Sequence, residues 1–409
     1  MKRYHNYMSI GIVYLSKVIN AILSFLITYM ATKNICDTNL FGKYSYIISI
    51  SAYISLFIGF GFNDALMNLI VNSDDNDKNK KLCGLGYLTN IIFSVIYCIV
   101  FFVFASYNKE LKINFLLIVF SHAIIINDLL NRIVTALKRV KILVLNNFLI
   151  NITICILYIL FKTTYINYLI IYFLCYFIYT NIIYFYYLEP NFKDIKSYMT
   201  LLIDKVKEYG FHVYLGRMSS MGVYDLDKIM IKIYSEVKYV GFYNLGLSCI
   251  NPITMFADSI MSVLFRDIAK KNKLDKKIIY GNIIWLVGVG ILFISFGKYI
   301  FILMFGLKYK YISDNFIWFA VLAFFRGFFI PYNNFLAVKG FGKYLRNTAF
   351  ILTIFNIVFN LIFIPRYKML GAIWATILSL VVDDIAHVYY YKKAVNELES
   401  SKEVVELKE

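Results

Sequence analysis

The chain has 409 residues, of which 60% are hydrophobic and only 16% charged, far below the roughly one-quarter charged content of soluble domains. Apolar runs of about 20 residues recur throughout, each long enough to cross a ~30 Å hydrocarbon core as a helix, and the ~10-residue alternation of a membrane β-barrel is absent. The net charge of +17 lies mostly in loops between apolar segments, where the positive-inside rule accounts for it without nucleic acid.

The first apolar run, from about Ser9 to Ala31, is too long for a signal-peptide core and has no small-residue cleavage pattern, so it reads as a retained helix. Helices are expected near 9–32, 43–71, 82–106, 112–136, 142–161 and 166–188. A polar stretch, 189–208, follows; with Asp194, Lys196, Asp204, Lys205, Lys207 and Glu208 it reads as an interfacial connector. A second set is expected near 209–233, 241–265, 278–304, 312–338, 345–364 and 369–391. The fold class is therefore an all-α polytopic membrane protein of about 12 transmembrane helices in two six-helix lobes. Residues 1–190 form the N-lobe, 191–208 a cytoplasmic linker, 209–391 the C-lobe and 392–409 a charged cytoplasmic tail.

The two halves resemble each other. Phe41-Gly42-Lys43-Tyr44-Ser45 opens one span, and Val240-Gly241-Phe242-Tyr243-Asn244 opens another about 200 residues later. Ala136-Leu137-Lys138 precedes a basic turn and Asn147; Ala337-Val338-Lys339 precedes a basic turn and Asn347. Repeats of this length in an apolar chain are the mark of secondary transporters, whose substrate sites lie between the repeats.

With the N-terminus inside, about 25 Lys and Arg fall in inner segments and about 10 in outer loops. Both termini are thus expected in the cytoplasm. The outer loops are too short to hold a soluble catalytic domain. The six cysteines show no CxxC and no metal spacing, so neither disulfide nor metal site is expected. No phosphate-cradling GxxxxGK[ST] occurs, and the lone Gly340-Phe341-Gly342-Lys343 reads as a short basic turn. No catalytic constellation and no cofactor motif emerges; the chain reads as a transporter and not an enzyme.

Charges inside spans are costly and face a cavity or a partner. Lys17 and Arg217 each lie about 8 residues, ~12 Å, inside an expected span, and they are 200 positions apart. Arg326 lies deeper in the tenth span. Three deep cations suit an anionic ligand such as pyrophosphate, which Arg can hold bidentately. The intramembrane acids Asp64, Asp258, Asp383 and Asp384 are candidate ion-coupling or gating groups, and equally candidate structural partners for those cations. Asp383 and Asp384 cluster with His387, a grouping suited to proton coupling. Asp128 and Arg132, one helical turn apart, read as a local salt bridge. Asp225, Asp227 and Lys228 read as interfacial.

The last two spans carry Asn356, Asn360, Pro365, Gly371, Ala372, Ala375, Thr376 and Ser379 in the order N-x-x-x-N-L-x-x-I-P-x-x-G-x-x-G-A-x-x-A-T-x-x-S, with Lys368 where the first glycine is usual. Gly42-Lys43-Tyr44 leading to Gly59-Phe60-Gly61, and Asp227-Lys228 leading to Val240-Gly241-Phe242-Tyr243, extend the pattern. The chain resembles the Wzx-type polysaccharide flippases, which share a superfamily with multidrug and toxin extrusion (MATE) transporters. That resemblance implies a flippase that moves undecaprenyl-pyrophosphate-linked oligosaccharide repeat units across the bacterial cytoplasmic membrane for O-antigen or other surface polysaccharide. Lys17, Arg217 and Arg326 would bind substrate, a proton or sodium ion would drive transport, and the partners would be the lipid-linked oligosaccharide and membrane lipids. A MATE-type drug antiporter shares the fold, but the mirrored cations argue against it. A polysaccharide polymerase would carry a large outer loop and no two-lobe repeat.

Overall fold

The computed structural model describes the backbone of residues 2–406 and the side chains of residues 18–400, except those of 140, 212, 216–224, 256, 259, 262, 263, 265–267, 269 and 270. The chain divides into two compact units, Met1–Ile229 and Met230–Glu409.

The first unit begins with α1 (Lys2–Ile35) and α2 (Thr38–Ile58). Asp37 separates them and caps α2, accepting from Asn39 N at 2.6 Å and Leu40 N at 3.2 Å, so that two otherwise orphaned amides are satisfied. The span that α2 opens is broken at Gly59-Phe60-Gly61 and resumes as α3 (Phe62–Val71). Gly61 takes a positive φ of 80°, a conformation that costs glycine little. Asp75 caps α4 (Asn76–Tyr107) in the same way as Asp37 caps α2. Next come α5 (Phe115–Ser121) and α6 (Ala123–Ala136), which divide one span between them, then α7 (Val140–Leu160) and α8 (Tyr165–Leu188). Leu66, Leu82, Leu85, Leu129, Ile133 and Tyr184 form the packed interior of α3, α4, α6 and α8.

The polar stretch after α8 contains α9 (Ile195–Lys205) and a π-helical turn at Val206–Gly210, and runs into α10 (Phe211–Tyr234), which crosses the boundary between units. This stretch is clamped to the start of α4. Lys80 meets Glu189 at 2.5 Å, and Lys81 meets Asp194 at 2.8 Å and Asp77 at 3.3 Å. The lysines hold the Glu189 and Asp194 carboxyls below their usual range, chiefly through hydrogen bonding. Close contact fixes the path as well. A Cβ on Gly84 would lie 2.1 Å from the Asn191 carbonyl, and one on Gly61 2.4 Å from the Gly210 backbone.

The second unit contains α11 (Lys238–Lys270), α12 (Lys276–Phe305), the short α13 (Lys310–Asp314), then α14 (Phe316–Phe328) and α15 (Ile330–Val338), which again divide one span, at a break just before Pro331. The last helix, α16 (Gly342–Glu406), is two arms joined at Lys368, whose φ of 54° and ψ of −126° are not helical. A Cβ on Gly371 would lie 2.3 Å from the Phe363 carbonyl, so the arms approach backbone to backbone where the sequence places small residues.

Among the described residues, nine helical stretches are long and apolar enough to cross a membrane. Several α-helices pair within one span, α16 counts once although it has two arms, and α10 and α11 fall outside the nine. Dividing α16 and adding α10 and α11 gives the twelve spans read from the sequence. Lipid accounts for the exposed apolar faces: Ile92, Val95, Ile99 and Phe102 on α4, and Ile284, Leu292 and Phe296 on α12, are all exposed.

Candidate functional site

Unit 1 holds a buried polar network that begins in the first turn of α3. Asp64 is almost fully buried and takes an ion pair from Arg132 of α6. Arg132 also reaches back one turn to Asp128 at 3.4 Å. Asn63 donates to Asp128 at 3.1 Å and exchanges hydrogen bonds with Asn90 of α4, at 2.8 and 3.3 Å. Asn90 donates in addition to the Gly86 carbonyl at 2.8 Å. The break at Gly59–Gly61 creates this arrangement, because it starts a new helix whose first turn faces α4 and α6. A carboxylate in the first turn also sits favourably against the helix dipole. Two carboxylates, Asp64 and Asp128, contact the one Arg132 guanidinium.

The expected Asp128–Arg132 pair is thus present, and it is joined to Asp64, a link that sequence reasoning missed. It also missed Asn63 and Asn90. Asparagine at single positions in otherwise apolar helices was the available signal, but the abundance of Asn along the whole chain hid it.

Unit 2 holds two separate features. Arg326 of α14 donates to the Asn251 side chain of α11 at 3.0 Å. Asn251 precedes Pro252, the proline inside α11. Further along α16, Asp383, Asp384 and His387 are all buried. His387 Nδ1 lies 3.2 Å from Asp383 Oδ1, and its Nε2 lies 3.4 Å from Asn333 Oδ1 on α15. Neither oxygen of Asp384 has a hydrogen-bond partner among the described residues. Asp258 on α11 is exposed.

The asparagine pair of the last spans is fully buried, and Asn360 Nδ2 donates to Asn356 Oδ1 at 2.9 Å within one arm of α16. Thr376, from the other arm, is 3.4 Å from the Tyr243 hydroxyl. Lys17 lies on α1 and Arg217 on α10, but both side chains are outside the described residues. Among the described site residues, Asp383 and Asp384 fall together, whereas Asp64 belongs to unit 1 and Arg326 to unit 2. Among the described residues no group of three or more His, Cys, Asp or Glu is arranged to hold a metal ion.

These helices define a multi-pass membrane protein with a MATE-like fold. The chain superposes on the lipid II flippase MurJ in its inward closed conformation with a TM-score of 0.77, covering 94% of this chain and 89% of that one at 15% identity. An inward-facing multidrug resistance MATE family transporter of the MOP superfamily matches with a TM-score of 0.71 over 95% of this chain and 99% of that one, at 13% identity. The sequence pattern of the polysaccharide biosynthesis protein family matches residues 8–265. The chain belongs to that family. It is also 25% identical over 219 residues to an uncharacterized membrane protein of Methanocaldococcus jannaschii, a match that spans 50% of this chain and 42% of the relative.

Proposed function

We infer that this protein is a flippase that carries undecaprenyl-pyrophosphate-linked oligosaccharide repeat units across the cytoplasmic membrane, for O-antigen or another surface polysaccharide. The observation that carries this reading is the coincidence of two independent likenesses: membership of a polysaccharide biosynthesis family and a fold shared over nearly the whole chain with a lipid II flippase. In this reading both termini are cytoplasmic. Lys17, Arg217 and Arg326 receive the pyrophosphate, the sugars cross an aqueous interior and the polyprenyl tail stays in lipid. Asp64, Asp258, Asp383 and Asp384 serve coupling to a proton or sodium ion, or gating.

Deletion of the gene tests the reading. The expected result is accumulation of completed lipid-linked repeat units in the inner leaflet, with loss of surface polysaccharide and continued synthesis of the unit. Export of single, unpolymerised units would instead identify a polymerase, and unchanged polysaccharide with altered drug tolerance would identify an antiporter. Arg326→Ala is expected to reduce flipping at least tenfold at normal membrane abundance, the cost of losing a charge-assisted contact of about 1.5–3 kcal/mol.

A further inference from the structure

At the basic turn that opens α16, the two arms of that helix enclose a polar cleft of about 460 Å³. Lys343 and Asn347 come from the first arm, and Tyr390, Lys393 and Glu397 from the second. The Tyr344 ring lies at the base, stacked on Tyr390 at 4.8 Å with the planes 23° apart, and on Phe341 at 5.4 Å with the planes 4° apart. Lys393 Nζ sits 5.5 Å from the centre of the Tyr344 ring. Asn347 donates to the Tyr390 hydroxyl at 3.2 Å.

The charges in the cleft do not cancel. Its one acid, Glu397, already accepts a hydrogen bond from the Tyr344 hydroxyl. Neither Lys343 nor Lys393 is in an ion pair with a described acid. Both are exposed, and Arg346 and Lys392 flank them. The fold itself does not require these residues. In the matching turn of the first unit, positions 142–144 are Ile142, Leu143 and Val144, and Ile142 and Leu143 pack into the apolar interior. The cleft also interrupts two apolar arms with Lys-Tyr-Leu-Arg on one side and Tyr-Tyr-Tyr-Lys-Lys on the other. Tyrosine beside lysine is the composition of the membrane–water boundary. A basic pocket between helices at that depth has the chemistry to hold a lipid headgroup phosphate.

We propose that this cleft binds the phosphate headgroup of an anionic lipid, with Lys343 and Lys393 on the phosphate and with Asn347 and the tyrosine hydroxyls on the hydroxylated group attached to it. Two sources share that chemistry: an anionic phospholipid of the bilayer and a polyprenyl-pyrophosphate lipid. The proposal requires only that the chain spans a membrane, and does not depend on the flippase reading.

The test is native mass spectrometry of the full chain released from phosphatidylcholine nanodiscs doped with either phosphatidylglycerol or undecaprenyl pyrophosphate. Wild type should retain one or both dopants in preference to phosphatidylcholine. The K343Q/K393Q variant should retain about tenfold less, or lower still, and K343R/K393R should keep most of the binding. A K308Q/K310Q variant, which removes the same charge elsewhere in unit 2, controls for net charge and should bind as wild type. Retention of phosphatidylglycerol alone identifies the bilayer phospholipid as the source, and its displacement by undecaprenyl pyrophosphate identifies the polyprenyl lipid. Equal retention by wild type and K343Q/K393Q, or an equal loss in K308Q/K310Q, overturns the proposal.

Discussion

Asp64 and Arg132 form a buried ion pair between the first turn of α3 and the middle of α6, 68 residues apart in sequence. The pair ties the second half of a broken span to its neighbour, and the bond to Asp128 extends the tie. Burial makes it asymmetric. The intact pair offsets much of its own desolvation, whereas either charge alone is expensive.

Arg132→Gln strips the guanidinium from a buried carboxylate and should destabilise the detergent-solubilised protein by about 3–5 kcal/mol. Asp64→Asn combined with Arg132→Gln removes both charges and should recover a large part of that loss. Thermal unfolding of the single and double variants measures the difference. Equal losses in both would mean that the pair is not what joins α3 to α6.

The break that begins α3 should be sensitive at one glycine and tolerant at the other. Gly61 combines a φ of 80° with backbone of Gly210 only 2.4 Å from the site a Cβ would occupy, and backbone cannot move aside as a side chain can. Gly59 has φ −72° and nothing within 4 Å of that site. Gly61→Ala should therefore lower stability by more than about 1 kcal/mol, while Gly59→Ala leaves it unchanged. Thermal unfolding of the two variants in parallel checks this.

The span pattern was legible in the sequence because hydropathy registers length and composition, which is all that crossing a bilayer requires. Small residues such as Gly371 and Ala372 mark in a sequence where backbones can meet, but that Gly371 lies against the Phe363 carbonyl came only from the structure. The site was much less legible. Asp64 stood out as an intramembrane acid, but its partner lay on a helix far away in sequence, and Arg132 already had a plausible partner one turn off. Asn251, Asn333 and the Asn63–Asn90 exchange depend on which helix faces compose each interface. Hydropathy cannot report that when both faces of a span are apolar.

Lys368 offers a gain of stability. The resemblance pattern has glycine at this position, and the joint between the arms of α16 here takes φ 54° and ψ −126°, a region that only glycine enters cheaply. Its ammonium lies 5.1 Å from the centre of the Tyr239 ring, a contact worth about 0.5–1 kcal/mol at an exposed site, against backbone strain of about 1–3 kcal/mol. Lys368→Gly should thus raise stability by up to about 2.5 kcal/mol, the largest difference between those two ranges. A lowered melting temperature would show that the cation–ring contact outweighs the strain.

Asp383 and Asp384 are adjacent and both buried, yet they should respond differently to loss of charge. Asp383 has His387 Nδ1 3.2 Å from Oδ1, a close approach but not a hydrogen bond, so Asp383→Asn removes an electrostatic contact and should lower stability. Asp384 has no hydrogen-bond partner on either oxygen among the described residues, and a carboxylate buried in that state is a net expense. Asp384→Asn should therefore leave stability and membrane abundance equal to wild type or higher. A buried acid retained at such a cost is expected to be retained for function. Transport in proteoliposomes, measured across pH, separates function from structure. If Asp384 couples an ion, Asp384→Asn should flatten the pH profile while the protein stays well folded. A stable Asp384→Asn variant with an unchanged profile would remove Asp384 from the coupling mechanism, and a stability loss as large as that of Arg132→Gln would show that it is held by an interaction its surroundings do not reveal.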